Sequence, residues 1–288
     1  MARRRPIWPT TAWAQTLQRT LARQTQAQLR TGLRVGEQVV KRTVKAAAQR
    51  QAPPVREGDW LGGLAVGWAG MRRYRLYRPP GLSLFKRVPL LVMLHGCQQD
   101  ARSFALSTRM ALLAARERFL VLFVEQDRQA NAQGCWNWYE MRSGRAHAEA
   151  ALVMAAIDQV LLLYPADPSR VAIAGLSAGA SMAALVAARH PQRFRAVVMH
   201  SGVPPGAAQS GATAWGAMQG RRASGELSPG PGEAWPPLLV IHGTHDRIVS
   251  PANAQAAAQA WADAVGARAG PPRRVQRGQR HAATLTEF

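Results

Sequence analysis

The chain has 288 residues, 47% of them apolar, which allows one large α/β domain with an extension and a sizeable core; no uninterrupted apolar stretch reaches the roughly 18 residues of a membrane span. It carries 37 Lys+Arg against 16 Asp+Glu, a net charge of +21 that favours polyanions or anionic surfaces, although the excess is mostly Arg in an Ala-, Gly- and Pro-rich chain, and a compositional habit with a solvated basic surface accounts for it. Zinc-finger spacing and RNP-like aromatic runs are both lacking, so no specific nucleic-acid partner is expected, and neither a metal nor a cofactor is.

Residues 1–57 read as a basic, amphipathic helical extension. Met1-Ala2-Arg3-Arg4-Arg5 starts like a signal peptide, but Gln and Arg interrupt any apolar run behind it. The sequence thus supplies no export signal, which points to a cytoplasmic or granule-associated chain. Trp13, Leu17 and Leu21 step by four, and Leu29, Leu33, Val40 and Val44 continue the stripe. Such a helix packs on its own domain, or lies through residues 10–50 on an anionic membrane or another apolar surface. Pro53-Pro54 and Gly58 end it.

Residues 58–288 alternate strands with helices. Strands are predicted over Met71–Tyr77, Leu90–Leu94, Phe119–Val124, Arg170–Ala174, Phe194–Met199 and Leu238–Ile241. Helices are predicted over Phe104–Arg116, Arg145–Tyr164, Ala178–Arg189 and Pro251–Val265. Short apolar strands separated by helices imply a mostly parallel, doubly wound sheet. Two long irregular stretches, 127–143 and 202–237, have the length of lids or binding loops.

Three motifs carry chemistry. Gly175-Leu176-Ser177-Ala178-Gly179 follows an apolar strand and opens an apolar helix, the context in which a strained turn exposes a serine nucleophile. His95-Gly96-Cys97 ends an earlier strand, where a second backbone N–H for an oxyanion is needed. The amides of Cys97 and Ala178 are the candidates, and His95 reads as a structural histidine. Asp246, in His242-Gly243-Thr244-His245-Asp246, follows Ser177 in the order serine, acid, histidine and is the candidate triad acid. His242 and His245 read as structural. The aromatic cluster Trp136, Trp138 and Tyr139 offers either a flat apolar surface to an acyl chain or ordinary loop packing.

Together these motifs resemble the poly(3-hydroxybutyrate) depolymerase-like esterases of the α/β-hydrolase superfamily. The matching blocks are Leu94–Gln99, Cys135–Tyr139, Arg170–Ala180, His200-Ser201-Gly202, and His242-Gly243-Thr244 with Asp246. The resemblance implies an α/β-hydrolase fold and a serine hydrolase of carboxylic esters, with hydroxyalkanoate polyesters or a granule surface as substrate. A feruloyl or acetylxylan-type esterase shares the machinery, and a catalytically impaired granule- or membrane-associated protein is a further reading. The resemblance also leans toward the extracellular region. In an exported chain Cys97 and Cys135 pair; otherwise they are small apolar fillers near the site.

The pattern departs from the family at the third triad member. Family members place that histidine in a Gly-His-Ala-Trp-like motif, which does not occur here. His281 is the one histidine after Asp246 and is taken as the base outside the family motif. Thr284–Phe288 reads as the start of a strand, and the expectation is a truncated fold lacking its last strand and helix.

Overall fold

The computed structural model describes residues 58–83, 85–222, 225, 235–276 and 278–288; the basic extension read over residues 1–57 lies outside them. The elements run β1 (Asp59–Gly67), β2 (Gly70–Arg78), β3 (Val88–Leu94), α1 (Ala101–Thr108), α2 (Met110–Glu117), β4 (Leu120–Val124), α3 (Arg145–Leu163), β5 (Ala166–Leu176) and α4 (Ala178–Arg189). They continue with β6 (Ala196–His200), α5 (Gly211–Met218), β7 (Leu238–Ile241), α6 (Ala252–Val265), β8 (Arg273–Val275) and β9 (Ala283–Leu285).

Seven strands make one sheet in the order β1-β2-β4-β3-β5-β6-β7. β1 and β2 are an antiparallel hairpin, β2 joins β4 antiparallel, and β4 through β7 are parallel. Helices cover both faces, so a central strand needs no polar side. All five residues of β4, Leu120 to Val124, are fully buried. α3 is long and apolar enough to cross a bilayer by composition. Here Ala146, Ala150, Val153, Ile157 and Val160 bury its inner face in the core.

The chain runs from β3 outward to β4, then returns to the other side of β3 as β5. Connections therefore leave in opposite directions at the carboxyl ends of β3 and β5, the switch point at which open α/β sheets bind their ligands. His95-Gly96-Cys97 continues β3 and Ser177 continues β5, so two of the three motifs meet at this switch point.

The elements depart from the sequence reading in several places. The helix expected over Phe104–Arg116 is two, because Arg109 takes a left-handed φ of 53° and caps the first. The irregular stretch after Gly202 contains α5. The strand expected near Thr284 forms as β9 but pairs antiparallel with β8 in a separate, largely exposed hairpin. β7 is therefore the outer strand of the main sheet, with Leu239 and Ile241 half exposed.

Candidate active site

Ser177 lies between β5 and α4 with φ 54° and ψ −121°, a conformation that costs a non-glycine residue energy and persists only when its surroundings enforce it. The enforcement is visible. The Ser177 N–H donates to the His200 carbonyl at 2.8 Å, and its carbonyl accepts from the Ala180 and Ser181 N–H groups at 2.9 and 3.1 Å. The flanking glycines are steric requirements. A Cβ on Gly175 would lie 2.2 Å from the Gly179 carbonyl oxygen, and one on Gly179 would lie 2.2 Å from the Leu94 carbonyl oxygen. Strand, helix and the end of β3 thus touch through backbone. Ala178 is the first residue of α4, so its N–H belongs to the unpaired, partially positive end of the helix. Ser177 Oγ has no hydrogen-bond partner among the described residues.

The loop after β3 sits directly against this turn. A Cβ on Gly96 would be 3.5 Å from the Leu176 carbonyl oxygen. His95 is fully buried and bonded through both ring nitrogens: the Gln126 N–H donates to Nε2 at 3.0 Å, so Nδ1 carries the proton and donates to the Gly96 carbonyl at 2.8 Å. Burial pulls its pKa below the usual histidine value, consistent with a neutral ring. A trans peptide points its C=O and N–H in opposite directions. Holding the Gly96 carbonyl toward His95 therefore turns the Cys97 N–H the other way, and that N–H has no acceptor among the described residues.

Cys97 and Cys135 are joined in a disulfide, with Cα atoms 4.2 Å apart. The reading of two free apolar fillers is thereby replaced by a covalent tie between this loop and the 127–143 segment. The same segment carries the aromatic cluster, for which the sequence left a ligand surface and loop packing open. Trp136 is 0% exposed and its indole N–H donates to the His95 carbonyl at 3.0 Å, so it offers no surface to a ligand. Trp138 is 8% exposed and packs edge-on against Tyr139. Tyr139 is half-buried, and its hydroxyl donates to Asn137 at 3.3 Å. The polar tips of Trp136 and Tyr139 are thus held by intramolecular partners, as buried Trp and Tyr require.

Asp246 follows β7 at the same edge of the sheet. Its Oδ1 accepts from the Ile248 and Val249 N–H groups at 2.9 and 3.0 Å, and its Oδ2 lies 3.5 Å from His242 Nε2. Partial burial raises its pKa, but the Val249 and Ile248 amides, the Ser201 hydroxyl and the His242 imidazole outweigh that and the net direction is downward. A depressed carboxyl contributes stability above its unfolded pKa and loses it as pH falls through the folded one. Asp246→Asn is accordingly expected to flatten the acid side of the stability curve: between about pH 5 and about pH 2 its Tm should fall less than the wild type's. Parallel Tm curves for the two proteins would refute the assignment.

His242 Nε2 lies 2.9 Å from the Val249 carbonyl, so this ring is bound within its own loop. His281 is exposed near the turn of the β8–β9 hairpin, and no described hydrogen bond or ion pair joins it to Ser177 or Asp246. The structure thus brings Ser177, Ala178 and Cys97 together at the switch point and places Asp246 at the same edge. His281 is not joined to them, because the hairpin pairs with itself instead of extending the main sheet. Three polar residues behind the loop, Gln126, Asn137 and Glu149, were not singled out by the sequence; an acid on the inner face of an otherwise apolar α3 was the signal available.

Known proteins share this architecture. Residues 72–276 match a family model described as Esterase PHB depolymerase. A poly(3-hydroxyalkanoate) depolymerase C from Paucimonas lemoignei is 33% identical over 193 residues, covering 61% of this chain and 46% of the relative. A probable acetylxylan esterase A from Aspergillus clavatus is 27% identical over 208 residues, covering 65% of each. The chain thus spans less than two thirds of the length of both relatives. Among solved structures, an acetyl xylan esterase from Aspergillus awamori shares the fold with a TM-score of 0.59 at 22% identity, over 73% of this chain and 81% of that one. The matched segment spans the Ser177 turn, the His95–Cys97 loop and Asp246, and the chain belongs to the Esterase PHB depolymerase family.

Proposed function

We propose that the chain is a serine carboxylic-ester hydrolase that acts through an acyl-enzyme on Ser177. The observation that carries this is the strained Ser177 turn packed against the His95–Cys97 loop, with the Cys97 and Ala178 N–H groups without acceptors among the described residues. Ser177 Oγ attacks the ester carbonyl carbon and its proton passes to solvent base. The carbonyl electron pair moves onto oxygen, where the two N–H groups and the α4 dipole stabilise it. Collapse expels the alcohol and leaves the acyl group on Ser177; water then attacks the acyl carbon and releases the acid.

The relatives named for poly(3-hydroxyalkanoate) and for acetylxylan support two substrate readings. Hydroxyalkanoate esters are favoured by the higher identity, and acetylated or feruloylated sugars are the second reading. Turnover of polyhydroxybutyrate against acetylated and feruloylated xylan separates them. The Cys97–Cys135 disulfide suits an oxidising compartment and supports an extracellular location.

Because no described imidazole is hydrogen-bonded to Ser177, hydrolysis of p-nitrophenyl butyrate is expected to be slow. Its kcat/KM should rise with pH without an inflection near about 6.5, the unperturbed histidine value. His281→Ala should leave that rate unchanged within about 2-fold, since surface changes without partners have small effects. A bell or plateau centred near neutrality that vanishes in His281→Ala would make His281 the base.

A further inference from the structure

Among the described residues, Glu149 is the one acidic side chain that is buried, at 2% exposure. Its Oε1 accepts from Gln126 Nε2 at 2.8 Å and Asn137 Nδ2 at 2.6 Å, and its Oε2 accepts from the Asn137 backbone N–H at 2.9 Å. The guanidinium of Arg72, itself 5% exposed, lies 3.5 Å from Oε1. Burial pulls the Arg72 pKa below its usual value, against the raising influence of Glu149. A buried ion pair is a poor way to stabilise a fold, since apolar residues of the same volume do as well or better. Its retention calls for a different reason.

The donors to Glu149 share a destination. Gln126 uses its backbone N–H on His95 Nε2 at 3.0 Å and its side-chain amide also on the Cys135 carbonyl at 3.0 Å. Asn137 follows Trp136, whose indole holds the His95 carbonyl. Each path from Glu149 therefore reaches His95, and His95 Nδ1 holds the Gly96 carbonyl that orients the Cys97 N–H.

We propose that Glu149 is a positioning residue for the oxyanion loop: through Gln126 and His95 on one side, and Asn137 and Trp136 on the other, it fixes the rotation of the Gly96–Cys97 peptide. This rests on the reading of the Cys97 N–H as an oxyanion donor. Three charge-assisted bonds converge on one carboxylate, and such bonds are about twice as strong as neutral ones. Arg72 balances the charge, which otherwise would oppose a developing oxyanion through a low-dielectric interior. The carboxylate touches neither Ser177 nor the ester and acts only through the loop.

The test is Glu149→Gln in the full chain, which keeps the shape and removes the charge. With p-nitrophenyl butyrate, kcat is expected to fall by about 100-fold, the scale of a 1 Å misplacement at a reacting centre, while KM stays within about 2-fold. Equal changes in kcat and KM, or an unchanged kcat in a folded variant, overturn the proposal. If the single variant does not fold, the double variant Arg72→Met with Glu149→Gln removes the uncompensated guanidinium and is read by the same criteria. A second readout is independent of turnover. Nitrogen-15 NMR of the histidine side chains should show His95 protonated at Nδ1 and bare at Nε2 in the wild type, and this signature should be lost in the variant. Should the wild type hydrolyse no ester, the functional reading fails, and the His95 signature alone decides: retention in the variant refutes the positioning role.

Discussion

Ser177→Ala is expected to abolish covalent labelling by an alkyl fluorophosphonate, read as complete loss of the phosphonyl mass adduct, with an unchanged circular dichroism spectrum. The reagent needs a hydroxyl that is exposed to it, free of competing bonds and beside groups that stabilise a pentacovalent anion. Ser177 meets these conditions: it is half-buried at the switch point, beside the Cys97 loop and the Ala178 amide, whose N–H groups have no acceptor among the described residues. Ser181, one turn into α4, is buried and donates from Oγ to the Ser177 carbonyl while accepting from the Val203 N–H. The Ser177→Ala protein should retain only the hydrolysis that oriented N–H groups and substrate binding can give, about 10³- to 10⁴-fold over water. Its strained φ of 54° provides a companion measurement. Ser177→Gly should lose the adduct equally yet gain about 1 kcal/mol of stability, because glycine alone adopts left-handed φ without a Cβ penalty. An adduct that persists in Ser177→Ala would assign the chemistry to another serine.

What the sequence disclosed and what it concealed follow from the range of the interactions. The Ser177 turn was legible because its requirements are local: a strand, two glycines and a helix within a few residues. The parallel sheet was legible for the same reason, since strands buried on both faces, such as Leu120–Val124, must be continuously apolar. The break at Arg109 was not, because nothing in an apolar periodicity marks a left-handed residue that is not glycine. Strand β1 was missed as well; its Gly62-Gly63 pair lowers strand propensity, and it forms because Met71 to Tyr77 provides a partner in register. The fate of Trp136 depended on a carbonyl 41 residues earlier in the chain. Glu149 was within reach, since Ala146, Ala150 and Val153 place it on the inner face of α3 by the helical period. Its partners Gln126 and Asn137 were not, because only folding brings those loop residues to it.

Gly179→Ala should be among the most damaging single-methyl changes available to this domain, lowering stability by about 3 kcal/mol, the upper end for overpacking. The added Cβ would sit 2.2 Å from the Leu94 carbonyl oxygen and 2.5 Å from that of His95. Backbone atoms in the middle of a parallel sheet cannot turn aside as a long side chain can, so α4 itself must move off β3. Gly62→Ala is the matched control: nothing lies within 4 Å of the new methyl, and its φ is not left-handed. It should be neutral within about 0.5 kcal/mol in urea unfolding. The activity of Gly179→Ala should fall further than its folded fraction predicts. Moving α4 away from β3 separates the Ala178 N–H, carried by the helix, from the Cys97 N–H, carried by the strand end. Two donors serve one oxygen only while both stay within hydrogen-bond reach of it, about 2.7–3.1 Å. Hydrolysis that merely follows the folded fraction of Gly179→Ala would mean that the two amides do not act on a common atom.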